Sequence, residues 1–509
     1  MKSGNRVILN TAILYAKMAI SILVGLISTR LTLEALGIED YGIFNLVAGI
    51  VSMLTFLNTS LAASTQRFLS FALGQGSSEY LCKIFYYSLV LHLFIGLCVI
   101  ALIETIGIYC IQHVLTIEPT KLSNTLTILH LLSGSIFFSI MSVPYIAVLV
   151  SRENMFLLSL IEIVEIMLKL LGVLYLSHYN GNRLILYSVV IVCATFLSLI
   201  LRIIMCWRKY PETTVAFGPL KDKPLLWELT SFAGWYTFAS VGSIGRFQGI
   251  PILLNVFFGV IVNAAYGIAN QVNGLMQSFA TAILQSIRPQ IIKSEGASDR
   301  ERAQKLSQIA CRYMFYLCAF FSIPLMIEMP CVLHLWLKET PEYSIGFCRL
   351  ILASTLLYMI TCGLTVAIDA TGHIKWMYIV MGCLHFLNLP VGYVLLKSGM
   401  SAYSILWVIV IEELICMCVR IYLAHRIVNI NPHRFLKQIV GPIVAITTVT
   451  SAIGLFITHY METSVLRLAL TCIACGSTFI VLCWFWGMGR TEKQKVIFTA
   501  GTLKAKLIR

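Results

Sequence analysis

Charge is what this sequence has least of. Only 12% of its 509 residues are charged, and 23 Asp and Glu stand against 37 Lys and Arg. Soluble domains carry about 25% charged residues. Half that proportion cannot cover a water-facing surface of this size, so a soluble globule is excluded. Disorder is excluded as well, because disordered chains are poor in apolar residues, whereas 58% of this chain is hydrophobic and its mean hydropathy is +0.86. The short segments of alternating polarity that build a membrane β-barrel are also missing; the apolar runs are long and unbroken. No G-x-x-x-x-G-K-[ST] phosphate loop occurs, so the chain itself is not expected to hydrolyse nucleotide. The longest connections, about 207–228 and 286–306, are too short for a separate catalytic or nucleic-acid-binding module. The first apolar run carries Lys17 and has no A-x-A-like site after it, so it reads as a retained helix and not a cleaved signal.

What is present is a series of runs of the roughly 20 apolar residues that span a bilayer. Fourteen can be drawn: 7–29, 42–62, 84–110, 125–150, 155–176, 184–206, 229–254, 260–285, 307–329, 347–369, 376–396, 402–424, 438–459 and 465–487. The fold expected is an all-α polytopic membrane protein. Sorting the basic residues along these spans tests the count, since cytoplasmic loops are enriched in Lys and Arg. With the N-terminus inside, 27 of the 37 fall on the cytoplasmic side, seven (Arg30, Lys121, Arg183, Lys338, Arg349, Lys397, Arg467) on the other, and Lys17, Lys169 and Arg246 inside spans. The net charge of +14 is therefore read as topology, with both termini cytoplasmic and no nucleic-acid partner. The sixteen Cys lie mostly within spans, as in Cys416/Cys418 and Cys472/Cys475, with no His at ligand spacing. They read as small buried hydrophobes, and no metal or cofactor is expected.

An internal repeat organises the spans. Residues 41–50 (YGIFNLVAGI) and 266–275 (YGIANQVNGL) share the pattern Y-G-I-x-N-x-V-x-G, and each copy runs on to a cytoplasmic Arg, Arg67 or Arg288, and to a glycine, Gly76 or Gly296. The copies lie six spans apart and cross the membrane in the same direction, as in parallel-repeat transporters with substrate near the midplane. The expected domains are an N-lobe at 1–210, a C-lobe at 211–430, and two further helices with a basic tail at 431–509. These are two six-helix lobes plus two C-terminal helices.

Polar stripes mark faces that avoid lipid. Asn10, Lys17, Ser21, Gly25 and Ser28 share one face of span one; Asn45, Ser52 and Thr59 recur at sevens in span two; and span eight carries Asn263, Asn270, Asn273, Gln277, Thr281 and Gln285. Small and amide residues also stitch helices together. Lys17 and Arg246 tip the reading, because a cation at the bilayer centre costs roughly 2.5–3.5 kcal/mol on insertion scales. The expectation is a wet, cationic, amide-lined cavity whose substrate is held by Lys17, Asn45, Arg246, Asn270, Asn273 and Gln277, with Arg67 and Arg288 at a cytoplasmic gate. Pairing of Lys17 with a carboxylate, or snorkelling, is the alternative. Fixed cations suit phosphate, and amides suit sugar hydroxyls. Glu162, Glu165, Glu412 and Glu413 are candidates for ion coupling through a carboxylate whose pKa is raised by desolvation. Glu165 and Lys169, at i,i+4, equally suit a structural pair.

The stretch Leu36-Gly-Ile-Glu-Asp-Tyr-Gly-Ile-Phe-Asn45, with Thr65-Gln-Arg-Phe-Leu-Ser70, resembles the polysaccharide-exporting flippases of O-antigen and capsule synthesis. These belong to the multidrug/oligosaccharidyl-lipid/polysaccharide exporter superfamily. The resemblance is sharpest over residues 1–80. It implies a V-shaped pair of six-helix lobes in the bacterial inner membrane, moving an undecaprenyl-pyrophosphate-linked oligosaccharide outward by alternating access. Membrane lipid and the glycan polymerase and other glycan-assembly proteins are the partners implied, and the chain is not expected to be an enzyme. A peptidoglycan-precursor flippase and a cation-coupled drug exporter of the same superfamily are the alternatives, although spans one and two lack the carboxylate a drug exporter would carry. An integral-membrane glycan ligase or polymerase would need catalytic groups on an external loop, and those loops are short.

Overall fold

The computed structural model describes residues 3–52, 56–114, 118–214, 220–337, 340–489 and 492–494. Lys2, Lys338, Arg490 and the tail from residue 495 onward, all used in the charge sorting, lie outside the described residues. Every regular element within them is helical. The helices are α1 (Ser3–Ser52), α2 (Phe56–Gln75), α3 (Ser78–His113), α4 (Pro119–Ser151), α5 (Met155–Leu176), α6 (Arg183–Lys209), α7 (Lys223–Phe258), α8 (Val260–Gly296), α9 (Arg300–Ile327), α10 (Met329–Leu337), α11 (Ser344–Thr371), α12 (Lys375–Lys397), α13 (Tyr403–Val428), α14 (Pro432–Tyr460) and α15 (Val465–Gly487).

Many helix starts are written in short polar side chains that satisfy the first free N–H groups. Ser77, Asn154, Asn182, Asp222, Asn431 and Ser464 each accept from the backbone N–H three residues on. The first two expected spans are not separated by a loop. They are two arms of α1, broken at Gly37, whose φ of 79° is left-handed and open to glycine without steric cost. The nine-residue α10 was not anticipated from the sequence.

Ten helical segments among the described residues are long and apolar enough to cross a membrane: the arm Arg6–Gly37 and α3, α4, α6, α7, α9, α11, α12, α14 and α15. The remaining long segments are the second arm of α1 with α2, α5, α8 and α13. Their sequences explain the shortfall. α5 carries Glu162, Glu165 and Lys169; α13 carries Glu412, Glu413, Arg420 and Arg426; α8 is crowded with amides; and α2 is rich in Ser and Thr. The helices that fall below the apolar threshold are thus those on which most of the expected site residues stand. Elsewhere large apolar side chains such as Leu26, Phe94, Val256 and Ile473 are exposed, a surface that suits lipid and not water.

The chain forms two compact units, Met1–Val241 with Gln285–Arg300, and Gly242–Leu284 with Glu301–Arg509. The division runs through α7 and α8, not at residues 210 and 430, and α14 and α15 belong to the second unit. At 36 and 37 residues, these two helices are each about 55 Å long at 1.5 Å per residue, enough to serve two packing groups. In the first unit α2 crosses the end of α8 at very close range. A Cβ on Gly74 would lie 2.2 Å from the Lys293 carbonyl oxygen, and one on Gly296 would lie 2.2 Å from that of Phe71. Gly76, which the repeat set beside Gly296, instead ends α2 with a φ of 75°; the glycine that partners Gly296 is Gly74. The core of the first unit gathers Val47, Val99, Ile103, Ile128 and Leu129, and that of the second Leu254, Ala265, Met329, Phe347 and Leu406.

Candidate functional site

In the first unit, Lys17 on α1 forms an ion pair with Glu162 on α5, and both side chains stay partly open, at 28% and 23% exposure. One turn on, Glu165 accepts from Lys169 at 2.7 Å and lies 3.7 Å from the buried Arg202 of α6. Asn10, from the polar stripe of span one, is buried; its amide donates to the Glu153 carbonyl at 3.0 Å. Of the readings open for Lys17, pairing with a carboxylate is the one the structure shows, for the reason that makes intramembrane cations costly: a charge far from water needs its counter-ion.

The second unit repeats the device on the counterpart helix and buries it further. Arg246 of α7 donates to Glu412 Oε2 of α13 at 2.7 Å, with the side chains 21% and 4% exposed. Two residues of α12 complete the set: His385 Nδ1 bonds Glu412 Oε1, and Asn388 donates to Oε2. The buried Tyr266 interacts with Arg246 and hydrogen-bonds Asn270. Asn273 accepts from Thr355 at 2.6 Å, while Gln277, like Asn45 of α1, is exposed. Glu413 is occupied by Arg420 at 2.6 Å, and that guanidinium also donates to Thr361 and covers the Tyr358 ring. All four carboxylates expected to carry a coupling ion are thus counter-ions to a lysine or arginine.

Arg67 and Arg288, expected at a gate with one in each lobe, both belong to the first unit, because that unit takes in the end of α8. Arg67 is buried, its guanidinium 4.5 Å from the Phe68 ring centroid, 4.8 Å from Phe71 and 5.9 Å from Phe232. It is an aromatic-packed cation. Arg288 is half-buried on α8.

The sequence reading missed the best-held polar residue of this region. Glu153, in the turn between α4 and α5, has a φ of 58° and is buried. Its carboxylate accepts from Lys293 Nζ at 2.8 Å and from Gln290 Nε2 at 3.1 Å, both on α8. The flanking residues are also tied: Arg152 to Glu212 at 2.8 Å and Asn154 to the Tyr210 hydroxyl at 2.8 Å. One signal was available, a short turn holding four polar residues in a row, Ser151-Arg-Glu-Asn154, between two apolar spans. In the second unit a buried pair was missed in the same way: Glu328 accepts two bonds from Arg467, at 3.0 and 2.9 Å, and one from Thr471. Arg202, Arg420 and Arg467, sorted above as loop residues, are therefore buried ion-pair partners; setting them aside leaves the charge bias in place. Among the described residues no group of three or more metal-ligating side chains converges, and the cysteines are free thiols.

No family model matches the sequence, and no curated protein matches it. Solved structures do match. An outward-facing multidrug-resistance MATE family transporter of the MOP superfamily superposes with a TM-score of 0.69 at 11% identity, over 84% of this chain and 96% of that one. The fold is that of the MATE transporters. A MATE protein in a straight conformation gives 0.68 at 13% identity, covering 84% and 97%. A MOP superfamily transporter from Pyrococcus furiosus, described as having a binding pocket of reversed polarity, gives 0.66 at 12% identity, covering 84% and 96%. The MATE fold accounts for a nearly all-helical membrane chain, and at these identities it fixes the architecture and not the cargo.

Proposed function

We propose that this chain is a flippase of the bacterial inner membrane, both termini cytoplasmic, that carries an undecaprenyl-pyrophosphate-linked oligosaccharide to the outer leaflet by alternating access, for O-antigen, capsule or exopolysaccharide synthesis. The lipid-linked oligosaccharide and membrane lipid are its partners in this reading, with the glycan polymerase and other assembly proteins downstream. The polyprenyl tail stays in lipid while fixed dipoles replace the water lost by the headgroup.

The observation that carries the reading is the partly open Lys17–Glu162 pair. Among the described residues Glu162 is the one carboxylate paired with Lys17. A pyrophosphate brings more charge and more acceptor oxygens, and charge-assisted bonds to it are strong, so it can displace Glu162 and take the ammonium. Arg246 is less free to exchange, since Glu412 is anchored from two helices. The amides of Asn45, Asn270, Asn273 and Gln277 remain the candidates for sugar hydroxyls, Arg67 and Arg288 for the cytoplasmic gate, and Glu162, released from Lys17, for a proton carrier. The fold likeness supports a drug-export reading as well, although Lys17 has the wrong sign for a cationic drug. A peptidoglycan precursor shares the pyrophosphate.

The test is a strain deleted for this gene and complemented with wild type, Lys17→Ala or Lys17→Arg, read by surface-glycan gels at matched protein level. Loss of glycan with Lys17→Ala and recovery with Lys17→Arg is the expected result. Full display by Lys17→Ala removes the anion site. A deletion that leaves glycan intact but raises drug susceptibility replaces the reading with drug export.

A further inference from the structure

A second polar site lies in the first unit, away from the ion pairs. Where α1 breaks at Gly37, residues from three connections border an open hollow of about 320 Å³, lined by Ala35, Leu36, Asp40, Lys121, Asn124 and the turn 181–184. This volume is at the low end of the roughly 300–1,000 Å³ of small-molecule sites. The walls are built. Lys121 Nζ is fixed between Glu39 and Asp40, at 3.0 Å from each. The Arg183 guanidinium is oriented by the Tyr179 carbonyl through Nε and the Ala35 carbonyl through Nη1, both at 3.1 Å, which leaves Nη2 for a ligand. Asn182 spends its oxygen on the Ile185 N–H and keeps its NH₂, and Asn124 adds a carboxamide with no hydrogen bond to a described residue.

The second unit argues that this opening is not a by-product of the fold. Six spans after α6, α13 also begins at the same end of its span, with Tyr403 as its first residue where α6 begins with Arg183. There Tyr403 packs on Tyr343 and Phe347, with ring centroids 5.1 and 5.5 Å apart. One unit fills the position with aromatic rings, and the other leaves a polar hollow.

We propose that this pocket binds one sugar ring. Asp40 and Glu39 both pair with Lys121 and Arg183 spends Nε and Nη1 on backbone carbonyls, so two carboxylates balance the two cations and the site is no strong anion trap. Asp40 is committed to Lys121, which disfavours a cation, and the polar walls disfavour an apolar ligand. Amide and guanidinium donors beside carboxylate and carbonyl acceptors match hydroxyls, which donate and accept at once. The positive-inside rule puts Lys121 and Arg183 on the outer face, where the sugar comes either from an emerging lipid-linked headgroup, which rests on the transport reading above, or from free glycan.

The experiment uses the purified full-length chain in detergent and saturation-transfer NMR with the methyl glycosides of glucose, galactose, N-acetylglucosamine and rhamnose, and sorbitol as an open-chain control. At least one ring sugar is expected to receive transfer, reduced at least fivefold in Asn124→Leu, which fills the pocket without removing a bond. Asn124→Ala is the second variant should the leucine disturb folding. Equal transfer in wild type and both variants, no transfer in wild type, or equal transfer to sorbitol overturns the proposal. Surface-glycan display by Asn124→Leu separates the sources: reduced display assigns the sugar to the cargo, and normal display with lost transfer assigns it to free glycan. Neither NMR outcome depends on whether the deletion strain lacks glycan, so failure of this site and failure of the transport reading are read separately.

Discussion

Each unit places a cation on its first long helix and answers it with a carboxylate from a later one, but to different depths. In the first unit Lys17 and Glu162 pair with one another and stay partly open, with Arg202 as a further charge near Glu162. In the second, Glu412 is almost fully buried and takes bonds from Arg246, His385 and Asn388 together. A satisfied buried network is rigid and costly to open, because each member left behind is stranded in a medium of low dielectric. A partly open pair with fewer partners is cheaper to exchange. The same charge pattern can therefore serve as a fastening in one unit and as a replaceable contact in the other, and stability measurements tell the two apart.

The largest effect is expected for Glu412→Ala. Removing one member of a buried pair costs about 3–5 kcal/mol, because its partner remains charged and uncompensated. The protein should lose much of its thermal stability in detergent, followed by the monodisperse fraction on size-exclusion after heating. Arg246→Met with Glu412→Leu should recover most of the loss, since replacing a buried pair by apolar groups is often neutral or better. Glu162→Ala should cost about 1 kcal/mol or less, as exposed pairs do. Equal losses for Glu412→Ala and Glu162→Ala would erase the difference between the units.

An intermediate effect is expected at the turns. The turn after α4 and the turn after α11 each contain a left-handed residue, Glu153 in the first unit and Gly372 in the second. A left-handed non-glycine residue costs roughly 1–2 kcal/mol, so the first unit bears strain at this turn that the second avoids at the turn after α11, and the Glu153 carboxylate must return more than that through Lys293 and Gln290. Glu153→Ala keeps the strain and loses both partners, for an expected cost of about 2 kcal/mol; a hydrogen bond to a charged group is worth about 1.5–3 kcal/mol. Glu153→Gly removes the strain and should lie about 1 kcal/mol above Glu153→Ala. Gly372→Ala imports the strain into the second unit at about 1–2 kcal/mol. Chemical or thermal unfolding of the three variants checks the order, and a Glu153→Ala protein as stable as wild type would show that the carboxylate contributes nothing.

What could be read ahead of the structure followed chain distance. Long apolar runs declare helices because their signal is local, and the Glu165–Lys169 pair could be named because four residues on a helix make neighbours. A break between residues 29 and 42 was drawn from the sequence, but not its form, a single left-handed glycine at position 37 with helix on both sides. Arg202, Arg420 and Arg467 were misplaced because a basic residue near the end of an apolar run looks like a loop residue until the carboxylate facing it is known. The polar turn around Glu153 was visible but its partners were not, as they lie 137 and 140 residues away on α8. The alternative of a carboxylate on Lys17 could be framed from the sequence, but its identity could not, because α1 and α5 meet only in the fold. The MATE fold, recognised from structure at 11–13% identity, left no trace that a family model could detect.

The smallest stability effect is the most informative about transport. If Lys17–Glu162 is a replaceable contact, Lys17→Ala and Glu162→Gln should each alter unfolding by no more than about 1 kcal/mol and yet move anion binding in opposite directions. Inorganic pyrophosphate competes with Glu162 for the ammonium, so neutralising the carboxylate should tighten its binding about tenfold, equivalent to about 1.4 kcal/mol. Removing the ammonium should abolish the response. Titration calorimetry on the purified variants measures both, and added salt should weaken the wild-type response because the binding is between opposite charges. Arg246→Lys should leave pyrophosphate binding unchanged, since that position is held by Glu412 and its anchors. A binding loss at Arg246 equal to the loss at Lys17 would instead make the two units equivalent anion sites, and the difference in burial would have no functional meaning.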